Sequence, residues 1–122
     1  MNEGFTLDVV VEHGITRIVV NGEIDLAGVA DLESAFERSV DGRSGPVVLD
    51  LSGCDFVDST GARTLVLLGR RVEGEARPFS LVSPPDSGAR FTLDLLGVPD
   101  SFPVHDSYEK ARADTSSDGT SG

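Results

Sequence analysis

The stretch Val47-Val48-Leu49-Asp50-Leu51-Ser52-Gly53-Cys54-Asp55-Phe56-Val57-Asp58-Ser59-Thr60-Gly61 decides how this chain folds. Val47 to Leu51 is nearly continuous in apolar residues and lacks strict alternation, which is the pattern of a strand covered on both faces of its sheet. Ser52 to Val57 leads to Asp58-Ser59-Thr60-Gly61, after which Ala62, Leu65, Val66, Leu68, Gly69 and Val72 recur at helical spacing. Strand, polar loop and helix in that order make the core of a βαβ unit.

Working outward, Phe5 to Glu12 and Ile15 to Asn21 are rich in Val and Ile and flank His13-Gly14, so they predict an antiparallel hairpin. After Gly22-Glu23-Ile24-Asp25 the apolar positions Leu26, Val29, Leu32, Phe36 and Val40 predict one face of a helix, with Asp25 as its N-cap. Asp41 to Pro46 breaks that helix before the decisive strand. Beyond the second helix, with Arg70 and Arg71 near its C-terminal end, Phe79 to Val82 predicts a short strand stopped by Pro84-Pro85. A third helix is expected over about 86–96, closed by Gly97. Phe102-Pro103-Val104 suggests a last strand at an edge, and 107–113 a closing helical turn or two. The expected fold is α/β: a mixed β-sheet built from an N-terminal hairpin plus βαβ units, with helices packed on the sheet. Residues 1–113 form the domain. Residues 114–122, without an apolar side chain, read as a disordered tail.

The chain has 122 residues, 21 Asp and Glu against 10 Lys and Arg, and a formal net charge of -11. That size supports one domain. Clustered lysines and arginines, which nucleic acids and anionic lipids require, are missing. No run of about 18 apolar residues is present and the N-terminus carries no basic region of a secretory signal, so a cytoplasmic location away from membranes is expected. Cys54 stands alone, which excludes an intrachain disulfide and a tetracysteine zinc site, and it reads as a small buried hydrophobe. No ligand spacing supports a metal, and no cofactor is expected. The charge is uneven: 12 acids and 3 bases precede Ser59, whereas residues 59 to 85 hold 2 acids and 4 bases.

The chemistry concentrates in Asp55 to Gly61. A serine at the start of a helix lies near unpaired backbone N–H groups and the positive end of the dipole, where a phosphate is tolerated. Asp55 and Asp58 would oppose that phosphate, leaving the position poised for a reversible mark. Local physics alone allows the plainer reading that these residues only cap the helix.

Residues 47–61, taken with Gly22-Glu23-Ile24-Asp25 and with Leu95-Leu96-Gly97-Val98 before Phe102-Pro103-Val104, closely resemble the STAS family, the domain shared by sulfate transporters and anti-sigma factor antagonists. The resemblance covers residues 5 to about 112. It implies a stand-alone anti-sigma factor antagonist acting in transcription regulation, stress response included. Ser59 would be phosphorylated by an anti-sigma factor that is also a serine kinase. The unmodified chain would bind that partner and free a sigma factor, the phosphorylated chain would not, and a metal-dependent serine phosphatase would reset it. The resemblance further implies that Asp58 shapes the loop, that Asp25 lies near the serine, that Thr60 is a secondary hydroxyl, and that Gly61 lets a partner backbone approach. Asp25, Asp58, Ser59, Thr60 and Gly61 would thus form the partner-binding set. Ala62 departs from the family's usual Leu or Ile. The chain is expected to be a monomer, with a weak dimer as the alternative.

Other readings are a non-phosphorylated scaffold and a nucleotide-responsive interaction module, although no Gly-x-x-x-x-Gly-Lys loop exists. An enzyme using Ser59 as nucleophile would need a base. The two histidines, His13 in a turn and His105 after the last strand, both read as surface residues. No enzymatic activity is expected.

Overall fold

The computed structural model describes residues 4–121; residues 1–3 and 122, at the ends of the two expected spans, lie outside it. The elements are β1 (Phe5–Glu12), β2 (Ile15–Ile24), α1 (Val29–Val40), β3 (Val47–Val57), α2 (Ser59–Gly74), β4 (Phe79–Val82), α3 (Gly88–Leu95), β5 (Val104–His105) and α4 (Tyr108–Ser121). The five strands lie in sequence order in one sheet, β1 antiparallel to β2 and the rest parallel. This is the mixed α/β arrangement that the hairpin and the βαβ pattern predict.

The hairpin turns on His13 and Gly14, whose φ values of 53° and 76° are both left-handed. That is the twist a two-residue connection needs to match its strands. Strands β2 and β3 run longer than the expected 15–21 and 47–51. They stay paired from Thr16 with Val47 to Ile24 with Val57, with shifts of register between Val19 and Asn21 and between Gly22 and Glu23. Alternation alone does not reveal such irregular pairing, because each shift moves the following side chains to the other face. Gly22 sits at φ 109°, and a Cβ there would come within 2.3 Å of the Gly4 carbonyl oxygen, so only glycine fits.

The two faces of the sheet are covered unequally. On one, Val47, Leu49 and Leu51 meet Leu32 and Phe36 of α1 and Leu65, Leu68 and Val72 of α2, together with Leu93 of α3. Phe79 packs between Phe36 at 6.3 Å and Phe102 at 5.0 Å, centroid to centroid. On the other face α4 lays Ala111 and Tyr108 against Ile15, Val48 and Val82. The polar intruder in β3, Asp50, is 1% exposed and fully engaged. Its Oδ2 accepts from Arg17 Nε and Nη2 at 3.0 and 2.7 Å, and its Oδ1 from the Ser52 amide and hydroxyl at 2.9 and 2.6 Å. The Arg17 guanidinium in turn lies 3.9 Å from the centre of the Tyr108 ring. A buried carboxylate is tolerable because every lone pair has a donor.

Several expectations shift. Leu26 belongs to a short 3-10 turn, Leu26–Gly28, before α1, and it is exposed where the periodicity put it on the buried face. The tighter turn puts Leu26 out of phase with the α-helix that follows. α3 begins at Gly88 behind a Ser87 cap, whose oxygen accepts from the Arg90 amide at 3.1 Å. β5 starts after Pro103. Helix α4 continues past 113, where the composition predicts that order ends. Asp114 and Thr115 lie beside Pro46, Pro78 and Pro103, the residues that lead into β3, β4 and β5.

Gly69 constrains the aromatic packing, since a Cβ there would stand 2.6 Å from Phe79 Cε2 and 2.7 Å from Phe102 Cζ. Gly69→Val is expected to lower unfolding stability by about 2 kcal/mol, overpacking outweighing a helix-propensity gain of at most about 1 kcal/mol. Urea titration of the two proteins measures this.

Candidate functional site

Strand β3 ends at Val57 and α2 begins at Ser59, so Asp58 is the single residue between them. Its backbone N–H donates to the Ile24 carbonyl at 3.0 Å, and its own carbonyl accepts from Ala62 at 2.9 Å. The side chain does more. Oδ1 accepts from the Gly61 amide at 2.7 Å, capping α2, and Oδ2 accepts from the Leu26 amide at 3.0 Å, capping the turn that leads into α1. One carboxylate therefore closes two helical starts at the C-terminal ends of two neighbouring parallel strands.

This corrects the expectation that Asp25 is the cap. Asp25 holds the N-cap position of the 3-10 turn with extended backbone geometry, but its side chain makes no capping bond, and the Leu26 amide donates to Asp58. It also separates Ser59 from the plainer reading in which the serine is spent on capping. Ser59 is the first residue of α2, exposed, with Asp58 as the capping group behind it. Thr60 is half-buried, and its carbonyl accepts from the Thr64 hydroxyl at 3.0 Å. Gly61 is buried, and a Cβ there would stand 2.8 Å from Ile24 Cγ2 and 3.2 Å from Val57 Cγ1. The glycine thus lets α2 seat closely on the chain's own strands.

A cavity of about 260 Å³ opens beside the serine, walled by Ser59, Ala62, Arg63, Val66, Leu96 and Val98. A smaller one, about 150 Å³, is walled by Ser59, Thr60 and Arg63. Leu96, in the wall of the larger cavity, is 48% exposed, and Leu26 and Phe56, which adjoin Asp25 and Asp55 in sequence, are 66% and 44% exposed. Sequence reasoning missed these side chains. Phe56 and Leu96 fall near element ends where periodicity is silent. Arg63 had a readable signal, since it follows Ser59 by four residues on one helix and so shares its face.

The remaining candidates for chemistry stand apart from the serine. His13 is exposed in the hairpin turn. His105 is less of a surface residue than expected, its side chain 18% exposed with Nε2 3.8 Å from Asp114. Cys54 is buried as predicted and donates to the Phe56 carbonyl at 3.4 Å. Burial pushes its thiol up to about 11, and the negative charges of Asp55 and Glu23 add to the rise. At neutral pH it stays protonated and is a poor nucleophile. Among the described residues, no group of three or more His, Cys, Asp or Glu is placed to hold a metal ion, and no helix is long and apolar enough to cross a membrane.

A family model for the STAS domain matches residues 6–111. The chain belongs to the STAS family. It is 29% identical over 100 residues to the anti-sigma-F factor antagonist RsfB of Mycobacterium tuberculosis, covering 82% of this chain and 80% of the relative. Among solved structures it is similar to an anti-sigma factor antagonist from Mycobacterium paratuberculosis, with a TM-score of 0.80, 27% identity and coverage of 91% of this chain and 93% of that one. The fold also matches that of the anti-sigma factor antagonist SpoIIAA in its unphosphorylated form, at a TM-score of 0.65 and 20% identity, over 88% of this chain and 91% of that one. Ala62 forms part of the wall of the larger cavity.

The double cap gives a direct test. Asp58→Ala removes the acceptor for both amides and is expected to cost about 2–3 kcal/mol of unfolding free energy. Asp25→Ala, with no cap to lose, should stay within about 0.5 kcal/mol of the parent. Chemical denaturation of both variants decides between the two aspartates.

Proposed function

We propose that this chain is an anti-sigma factor antagonist whose docking surface is the pole around Ser59, and that phosphorylation of Ser59 switches it off. The observation that carries the reading is the exposed Ser59 hydroxyl at the start of α2, left free of capping because Asp58 performs that role. The likeness to RsfB and to the M. paratuberculosis antagonist supports the antagonist role. The partner is an anti-sigma factor that carries serine kinase activity, and its capture frees a sigma factor in the cytoplasm.

The recognition surface combines the serine with the exposed apolar side chains of Leu26, Phe56 and Leu96, the flanking Asp25 and the half-buried Thr60. Asp58 and Gly61 hold its shape from beneath. In the phosphorylation step the Ser59 oxygen attacks the γ-phosphorus of ATP, the bond to the β-phosphate oxygen breaks, ADP leaves, and the hydroxyl proton passes to a base of the kinase. The chain is the substrate of that step and needs no cofactor or catalytic group of its own. The product places about -1.5 to -2 charges next to Asp25, Asp55 and Asp58. A partner packed on this pole would have to bury that charge, a change that costs several kcal/mol at an interface. A serine phosphatase removes the phosphate and restores binding.

Ser59→Ala should bind the anti-sigma factor within about twofold of the parent and take up no phosphate from ATP, while Ser59→Glu should bind at least about tenfold more weakly. Calorimetry and phosphate transfer with the purified kinase measure both, and phosphorylation of Ser59→Ala would move the switch to another residue. A serine hydrolase would instead be labelled at Ser59 by a fluorophosphonate, and no labelling is expected.

A further inference from the structure

Arg63 is one helical turn beyond Ser59 on α2 and exposed, and it shares with Ser59 the walls of both cavities at this pole. Like Arg38, Arg43, Arg70 and Arg112, Arg63 forms no ion pair among the described residues, and of these it alone shares the cavities with Ser59. The nearest sequence acid, Asp58, forms no ion pair with it, its two oxygens accepting backbone N–H groups at 2.7 and 3.0 Å. A free guanidinium thus lies within a turn of the proposed phosphoacceptor, in a part of the chain where Asp25, Asp55 and Asp58 would otherwise repel a phosphate.

We propose that Arg63 is the counter-ion, within the same chain, of a phosphate on Ser59. The inference rests on the reading of Ser59 as the phosphoacceptor and assigns the residue that determines where the phosphate goes once attached. A serine phosphate and an arginine four residues later face each other on a helix, and a guanidinium offers a planar pair of donors to phosphate oxygens. The smaller cavity, bounded by Ser59, Thr60 and Arg63, is the space in which the two groups meet. The phosphate is drawn down along α2, and the guanidinium, free in the unmodified chain, is withdrawn from any acidic group a partner offers. Modification therefore changes two features of the docking pole with one bond.

The pairing can be measured without a kinase by inserting phosphoserine at position 59 during translation and following the phosphate by phosphorus NMR as pH is varied. A neighbouring guanidinium favours the dianion, so it lowers the second phosphate pKa from its ordinary value of about 6. Arg63→Gln in the phosphorylated chain should raise the midpoint by at least about 0.2 pH unit, and Arg63→Lys should recover part of the difference. Arg70→Gln removes the same charge far along the helix and should leave the midpoint within that margin. A smaller shift in Arg63→Gln, or an equal one in Arg70→Gln, overturns the pairing. Because the phosphate is installed directly, that result is independent of whether a kinase acts on Ser59, which the binding and transfer measurements decide separately.

Discussion

The Asp58 carboxylate is the interaction on which the functional end of this molecule depends. Parallel strands β2 and β3 finish side by side, and each hands the chain to a helical turn whose first N–H groups have no partner within the helix. Two adjacent starts create two deficits at one place. A single acidic side chain at the β3–α2 junction satisfies one donor from each, Gly61 and Leu26, while its backbone extends the pairing with Ile24. The arrangement fixes α2 and the approach to α1 relative to each other. It also explains why the next residue, Ser59, can be presented to solvent.

Much of the architecture could be read directly. The continuous apolar run Val47 to Leu51 forecast a strand covered on both faces, and the structure supplies that cover with α1, α2 and α3 on one side and α4 on the other. The helical spacing from Ala62 to Val72 and the His13-Gly14 turn were equally legible, because each rests on a local rule. The misses share a cause. Longer β2 and β3 depend on register shifts, which are properties of a pair of strands and are invisible in either one. Asp25 looked like a cap because it preceded an apolar-periodic segment, yet the residue that bonds the Leu26 amide is 32 positions away in sequence.

The site followed the same division. Residue types and order pointed to Ser59 and its neighbours, and the family resemblance added their roles. The surroundings were not legible, since Leu96 and Val98 join Ser59 and Arg63 around one cavity only through folding. Gly61 illustrates the difference: its place in the signature suggested contact with a partner, while its position beneath Ile24 and Val57 shows that it is needed to seat the helix.

The prolines beside α4 define a second pole. Pro46, Pro78 and Pro103 lead into β3, β4 and β5, and Asp114 and Thr115 rest beside them, whereas Ser59 follows the opposite end of β3. The 11 residues of β3 separate the two ends, a span of roughly 30 Å at ordinary strand rise. Asp114 and Thr115 thus stand at the end of the sheet remote from the serine. A label attached at that position would stand at the opposite end of β3 from Ser59 and leave the serine unobstructed, so the fold offers a handle away from the hydroxyl.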